Sequence, residues 1–360
     1  DSAKKASTKG AAATIAIVLV TSLFFVWGLA MNLVSSLNAP IANYLELTTT
    51  QTSLMQVAYY GAYFVMAIPA GAIAKKFGYK GGVIAGLALF VIGSIITVPA
   101  TNAASFALFL VSTFVVAAGA TTLEANCNPY ITKLGDEKHE SMRLNLAQSF
   151  NGVGSIVGPL IMAQILSTTV AAGQPGFAEA KTAFLGSTRG IYIVIAIVLA
   201  IMLAVFVFVK LPTPPNDVEG AGSEKAAKGG ALKKPYFKLG VVAEFFYVGI
   251  QTVGFSLFAT YATKVAGLEM SLATGLVSAL SLLFTIGRFG STPLLAKKDP
   301  GKLLGIYMTG AAVCFFLVFL NLGVVSVAAF VVAYLFMSIG YPTIFSLSLR
   351  GMSGNETKTG

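Results

Sequence analysis

The chain has 360 residues, of which 56% are hydrophobic and only 11% are charged. Soluble proteins carry about 25% charged residues, so this composition excludes an ordinary soluble protein. The formal net charge of +10 does not indicate a nucleic-acid partner, because the basic residues lie in short segments between apolar runs. Its two cysteines have neither a metal-binding spacing nor the pattern of a disulfide framework, and we expect no cofactor.

Apolar runs of about 20 residues predict α-helices that cross a bilayer. Taken in chain order, ten such segments occur, at about 11–37, 51–74, 82–99, 105–134, 144–167, 191–209, 236–264, 272–295, 303–322 and 325–349. Between the sixth and the seventh, residues 212–235 are rich in Pro, Gly, Ala, Ser and Lys, which is typical of a linker. We therefore predict a six-helix bundle at 1–211, a cytoplasmic linker at 212–235 and a four-helix bundle at 236–360.

The basic residues predict the orientation of the chain. If the N-terminus is cytoplasmic, every one of the 24 Lys and Arg residues falls on the cytoplasmic side except Lys181, Arg189 and Lys264. Because cytoplasmic loops are enriched in Lys and Arg, the sequence predicts an N-terminus inside the cell. This assignment counts Arg288, near the end of the eighth predicted helix, with the basic residues of the cytoplasmic loop that extends to Lys302.

One carboxylate lies inside the fourth predicted helix. Thr121, Glu124 and Asn128 are spaced i, i+3, i+7, so a helix places them on one face. A carboxylate at this depth costs about 2.5 kcal/mol or more, and such residues face a wet cavity or a partner and often titrate. Glu124 is therefore our candidate proton carrier, although a Glu tied to a neighbouring helix would show the same pattern.

Polar and aromatic side chains recur at helical spacing inside three further apolar segments. A polyol such as a sugar needs paired donors and acceptors, with aromatic faces for its C–H surfaces. The candidates for such a site are Trp27, Asn32 and Ser35 in the first helix, Asn128 in the fourth, Gln148 and Asn151 in the fifth, and Tyr247 and Gln251 in the seventh. Intramembrane amides also join helices to one another, and Trp and Tyr also serve packing, so a purely structural role stays open.

Matching strings recur in the same order across the linker. Phe24–Gly28 resembles Phe245–Gly249, and the basic segment at 74–80 resembles that at 296–302. Such a parallel duplication, joined by a central linker, resembles the layout of major facilitator transporters. That fold has six helices in each half, so we expect that its last two helices are missing from this sequence.

Long strings resemble one family closely, the fucose/galactose/glucose:proton symporters of that superfamily. They include Arg143–Asn151 in the fifth helix and Phe336–Leu347 in the tenth. The resemblance implies uptake of a monosaccharide driven by a proton gradient. It also implies that Glu124 is the proton-coupling acid of the fourth helix and that Asn151 is an amide of the sugar cavity.

The chain departs from this family at one position. The family's first helix carries an Asp where this sequence has Ser35, which cannot hold a charge. Glu244 in the seventh helix is a candidate compensating proton site. The alternatives are a sugar facilitator or a sodium-coupled carrier and, from another class, a membrane sensor that binds sugar without transport. We expect no enzyme, and a monomer in a lipid bilayer, by default the plasma membrane of a bacterium (the inner membrane).

Overall fold

The computed structural model describes residues 2–165, 170–212, 231–352 and 357. This part of the chain is all-helical and contains no β-strand. Its α-helices are α1 (Ser2–Ser36), α2 (Asn38–Tyr44), α3 (Thr49–Asn102), α4 (Phe106–Lys133), α5 (Glu140–Ile165), α6 (Phe177–Phe208), α7 (Pro235–Ala266), α8 (Met270–Lys297), α9 (Pro300–Phe319), α10 (Val324–Met337) and α11 (Gly340–Leu349). Short 3₁₀ turns occur at Glu137–His139 and Ala231–Lys233.

Eight helical segments of the described chain are long and apolar enough to cross a membrane. The predicted count of ten crossings is therefore not confirmed. Two features account for the difference. α5 is not among the eight, because polar residues interrupt its apolar run, and α3 counts once although its 54 residues span about 80 Å at about 1.5 Å each.

The predicted loop at 75–80 is a break of one residue inside α3. Gly78 adopts φ 73° and ψ 174°, whereas the lysines on either side stay helical. Only glycine takes this backbone conformation without steric cost, so the chain changes direction there without a longer loop. The predicted polar turn at 38–50 likewise contains a short helix, α2.

Local side-chain chemistry sets several helix ends. Thr48 and Gln51 form a capping box at the start of α3, in which the Thr48 hydroxyl accepts from the Gln51 N–H and the Gln51 amide oxygen accepts from the Thr48 N–H. The Asp299 carboxylate caps α9 by accepting from the Lys302 N–H at 2.8 Å. Gly267, at φ 65°, ends α7 in the left-handed conformation.

The last predicted helix, at 325–349, is two helices in the structure. α10 ends at Met337 and α11 begins at Gly340. Pro342 has no N–H for the carbonyl four residues earlier, that of Ser338, so the helix breaks where the proline leaves a carbonyl unbonded. Donors from other helices satisfy the carbonyl groups at the break. The Tyr247 hydroxyl donates to the Met337 carbonyl, and Arg288 Nε donates to the Ser338 carbonyl at 2.8 Å.

Large apolar side chains cover the outside of the helices. Phe64, Ile68 and Phe208 are each more than 80% exposed, and Phe245 and Phe319 follow at about 75%. Soluble monomers rarely expose contiguous apolar surface on this scale, whereas a lipid-facing surface consists of it.

The chain divides into two compact units. The first contains Asp1–Tyr130 and Phe150–Thr213, and the second contains Ile131–Ser149 and Pro214–Lys358. The end of α4 and the start of α5 therefore belong to the second unit. Most of the predicted linker, at 213–230, lies outside the described residues.

Candidate transport site

Glu124 lies in α4 between two buried polar residues of the same helix, Thr121 and Asn128, and is itself half-buried. Its carboxylate is close enough to the Tyr59 hydroxyl on α3 to interact with it electrostatically. The first unit thus places the acid beside a phenol, in a partly accessible position.

Tyr59 belongs to an aromatic cluster that the sequence analysis did not identify. Its ring lies 5.1 Å from that of Tyr60 and 5.3 Å from that of Tyr63, and the Tyr59 and Tyr63 hydroxyls are hydrogen-bonded. The cluster packs against Ala117 and Ala118 of α4. Its signal in the sequence is a pair of tyrosines at i, i+4 inside an apolar run, where each ring contributes one polar group.

Three other polar side chains of this stretch donate hydrogen bonds within α4. Thr121 and Thr122 donate to the carbonyls four residues earlier, both at 2.8 Å, and Asn126 Nδ2 donates to the Thr122 carbonyl at 2.7 Å. The Asn126 amide oxygen, in contrast, is buried and accepts no hydrogen bond within the described residues.

Asn32 and Asn151 meet at the interface of α1 and α5. Asn32 Nδ2 donates to the Gly28 carbonyl at 2.8 Å and to the Ser155 hydroxyl at 3.0 Å. Asn151 Nδ2 donates to the Phe24 carbonyl at 3.2 Å. Both amides therefore join helices, but neither amide oxygen accepts a hydrogen bond within the described residues, and both side chains are half-buried.

Glycine residues let the backbones of α1 and α5 approach each other closely. A Cβ atom on Gly154 would lie 2.5 Å from the Leu29 nitrogen, and one on Gly28 would lie 2.6 Å from the Asn151 carbonyl oxygen. Small residues let transmembrane backbones approach in this way. The approach brings the Asn32 and Asn151 side chains into the same crossing.

The two other candidates in α1 differ from these amides. Trp27 is 5% exposed, and its ring lies 5.5 Å from that of Phe24, so its contacts are those of a core residue. Ser35 is exposed in the last turn of α1. The structure thus brings Asn32 and Asn151 together but does not add Trp27 or Ser35 to their hydrogen bonds.

In the second unit, Tyr247 is the centre of a polar group around α7. Its hydroxyl donates to the Met337 carbonyl, and it interacts electrostatically with both Glu244 and Arg288. Glu244 is half-buried one turn before Tyr247. Gln251 is half-buried one turn after it, and its main-chain carbonyl accepts from the Tyr334 hydroxyl at 2.7 Å.

Arg288 corrects the sequence analysis, which placed it in a cytoplasmic segment. It lies within α8 and is 6% exposed. Its Nε donates to the Ser338 carbonyl and its Nη1 to the Gln148 carbonyl at 3.1 Å, while its guanidinium lies 4.5 Å from the centre of the Phe284 ring. No carboxylate of the described chain forms an ion pair with it.

The sequence feature that indicates a buried position for Arg288 is its place inside an otherwise apolar run, nine positions before the Lys pair at 297–298. An intramembrane cation marks a functional site by default. Two of its five N–H donors are used by main-chain carbonyls, so donors are left for an uncharged or anionic ligand. Gln148 is buried beside it and contributes the second of those carbonyls.

Comparison with known proteins gives a consistent result. The family model of the Major Facilitator Superfamily matches residues 18–355. The L-fucose-proton symporter of Escherichia coli (strain K12) is 33% identical over 360 residues, covering 96% of this chain and 82% of that protein. A glucose/galactose transporter of Brucella abortus (strain 2308) is also 33% identical, over 347 residues, with the same coverage.

Solved structures agree with these relatives. The crystal structure of FucP, a Major Facilitator Superfamily transporter in the outward conformation, superposes with a TM-score of 0.87 at 31% identity, covering 97% of this chain and 88% of that one. The proton:xylose symporter XylE superposes with a TM-score of 0.67 at 16% identity, which shows the likeness of the fold alone.

Proposed function

This chain belongs to the Major Facilitator Superfamily, and from that premise we propose that it is a secondary active transporter that imports a monosaccharide, a hexose or deoxyhexose, together with protons by alternating access. The half-buried Glu124, within an apolar helix and in electrostatic reach of Tyr59, is the observation that carries the proposal. The relatives that carry fucose, glucose or galactose support the substrate class.

We further propose that the chain crosses the plasma membrane of a bacterium ten times, six times before the linker at 212–235 and four times after it, with a cytoplasmic N-terminus. The length of α3 and its break at Gly78 support two crossings by that element, and the 26 residues of α5 are long enough for one. A monomer in the lipid bilayer is the proposed working state.

Glu124 would carry the proton. In its protonated form it permits sugar binding from outside, and its deprotonation on the inside accompanies release. The Asn32 and Asn151 amide oxygens supply acceptors for sugar hydroxyls in the first unit. Tyr247, Gln251, Gln148 and the remaining donors of Arg288 supply the corresponding polar groups in the second.

The test measures sugar-dependent proton uptake in liposomes that contain the purified protein. We expect Glu124→Gln to lower coupled uptake at least tenfold while sugar exchange between equal concentrations on the two sides persists, because a permanently neutral side chain mimics the loaded state. Glu269→Gln is the control, since Glu269 is exposed before α8. Undiminished coupled uptake by Glu124→Gln would remove Glu124 from the mechanism.

The exposed Ser35, which stands where the family has an acid, favours one second candidate: a facilitator or a sodium-coupled carrier. The same liposomes separate the candidates when sodium is added or omitted and an inward proton gradient is imposed or not. Glu244→Gln tests the compensating proton site in the same assay. If Glu244 carries a proton, this variant should lose part of the proton dependence of sugar uptake. A membrane sugar sensor would show binding without exchange.

A further inference from the structure

A basic cavity lies in the second unit and shares no lining residue with the candidate transport site. It has a volume of about 420 Å³ and is lined by Glu137, Lys138, Leu295, Ala296, Lys297, Lys298, Asp299, Pro300 and Arg350. Four basic side chains therefore face two acidic ones around a floor of apolar residues. Leu295 and Pro300 are buried at that floor.

The acidic side chains of the cavity are already engaged by the protein. The Asp299 carboxylate caps α9 by accepting from the Lys302 N–H, and the Glu137 carboxylate accepts from the Gly351 N–H at 3.1 Å. Arg350 donates through Nε to Glu140 at 2.5 Å, which uses one of its five donors.

The lysines, in contrast, are available. Lys138, Lys297 and Lys298 are exposed, and none of them forms an ion pair or a side-chain hydrogen bond within the described part of the chain. Three unpaired ammonium groups around one cavity attract an anion, and their attraction is strongest where water and salt are partly excluded.

The position of the cavity identifies the anion. Glu137 and Lys138 of the cavity lie in the 3₁₀ turn before α5, and Arg350 lies directly after α11. One candidate membrane span ends at Lys297 and the next begins at Pro300, so the lysine pair lies at the short turn between two spans. That turn is at the depth of the lipid headgroups, and basic pockets at the ends of transmembrane helices bind anionic headgroups there. The apolar floor suits the first carbons of an acyl chain.

We propose that this cavity binds the phosphate headgroup of an anionic phospholipid through Lys138, Lys297, Lys298 and Arg350. Phosphate is the shared chemistry of a lipid headgroup and of free phosphate, and the lipid is the source that the membrane-edge position favours. The site is independent of the transport chemistry proposed above.

The experiment uses the full chain in a neutral detergent, with bound lipid counted by native mass spectrometry. We expect dioctanoyl-phosphatidylglycerol to bind and dioctanoyl-phosphatidylcholine not to. The double variant Lys297→Gln/Lys298→Gln should bind phosphatidylglycerol roughly thirtyfold more weakly, from the usual contribution of each lysine at an anionic surface.

The internal repeat supplies a matched control. Lys75 and Lys76 follow an alanine as Lys297 and Lys298 do, and both are exposed. Lys75→Gln/Lys76→Gln removes the same charge and should leave binding unchanged. Lys138→Gln, on a separate element, should weaken binding on its own, which keeps the test valid if the double variant does not fold.

Three results would overturn the proposal. Equal retention of phosphatidylcholine would show that charge does not select the ligand. An equal loss in the control variant would show a general electrostatic effect rather than a site. Competition by inorganic phosphate at the concentration at which phosphatidylglycerol binds would assign the cavity to a free anion instead of a lipid.

Discussion

Several polar side chains of this protein use some of their atoms in hydrogen bonds to other residues, which leaves only their remaining atoms for a ligand. Asn32 and Asn151 use their amide N–H groups to join α1 and α5. The Tyr247 hydroxyl and the Arg288 Nε donate to carbonyls at the break between α10 and α11. What remains for a sugar is the opposite end of each group, the amide oxygens and the unused guanidinium donors. A polar residue here can therefore be both a structural tie and a ligand.

Asn151→Ala separates these two roles. It removes the bond to the Phe24 carbonyl, which should cost about 0.6 kcal/mol of stability, the usual size for a transmembrane hydrogen bond. Loss of the amide oxygen should also weaken sugar binding about tenfold in isothermal titration, since a hydroxyl then lacks its acceptor. Ser155→Ala removes bonds at the same crossing but leaves both amide oxygens in place, so its sugar affinity should not change. Equal losses of affinity in the two variants would indicate a structural role only.

Glu140, at the loop end of α5, predicts a pH dependence of stability. Burial raises the pKa of its carboxyl, and the hydrogen bond and charge of Arg350 offset that rise only in part, with smaller effects from Lys133 and Glu137. Because the folded state holds the proton more tightly than the unfolded chain does, this contribution to stability is fully present below the ordinary pKa of about 4.3. It is lost as the pH rises through the higher folded value.

We therefore expect the melting temperature of Glu140→Gln, relative to the parent, to increase from pH 4 towards neutral pH. Asp136 should give a pH dependence of stability with the opposite sign. The effect of its burial is outweighed by hydrogen bonds from His139 and by the charges of His139 and Arg143, so the pKa of its carboxyl is lowered. Its contribution is present above the ordinary pKa and lost as the pH falls, and Asp136→Asn should remove that dependence. A pH profile of Glu140→Gln parallel to that of the parent would contradict the assignment.

At the scale of helices, close contacts between backbones decide which helix faces pack together, rather than amphipathic patterns. In lipid the outer faces are as apolar as the inner ones, so the pattern of apolar residues does not select which faces meet. Glycines do so instead. Gly154 and Gly158 of α5 lie against α1, and Gly82 and Gly86 of α3 lie against α4.

Gly154→Ala should therefore destabilise the protein by about 1–3 kcal/mol, because the new methyl group would meet main-chain atoms of Leu29 and Phe25 that cannot move aside easily. Gly186→Ala in α6 is the matched control. A Cβ atom there meets nothing within 4 Å. Because alanine has a higher helix propensity than glycine, this substitution should increase the free energy of unfolding by up to about 1 kcal/mol. Denaturation in mixed detergent micelles measures both changes, and similar effects of the two substitutions would show that the α1–α5 crossing is not close.

At the scale of the whole molecule, residues 131–149 cluster with the second compact unit although they lie early in the chain. Hydrogen bonds account for this. Ser141 pairs with Ser346 at 2.6 Å, Asn145 Nδ2 donates to the Thr343 hydroxyl, and Arg350 pairs with Glu140.

The orientation of the whole chain is open to a direct test. The native Cys127 and Cys314 are buried, so a membrane-impermeant maleimide should report on introduced cysteines. Gln174→Cys, in the exposed segment before α6, should be labelled in intact cells, and Lys138→Cys only after permeabilisation. The distribution of Lys and Arg predicts this result, and the reverse pattern would show the opposite orientation.

Several features of the protein could be predicted from the sequence alone. The membrane class and the approximate helix bounds follow from local chemistry, since the hydrocarbon core requires long apolar runs. The family follows from the strings that resemble it. The role of Glu124 stays a prediction, based on the cost of a carboxylate within such a run. The sequence could not show that Arg288 is buried or that Asn32 and Asn151 share one crossing. Each of those depends on donors and acceptors supplied by residues distant in the chain, and only the packing of the helices brings such groups within hydrogen-bonding distance.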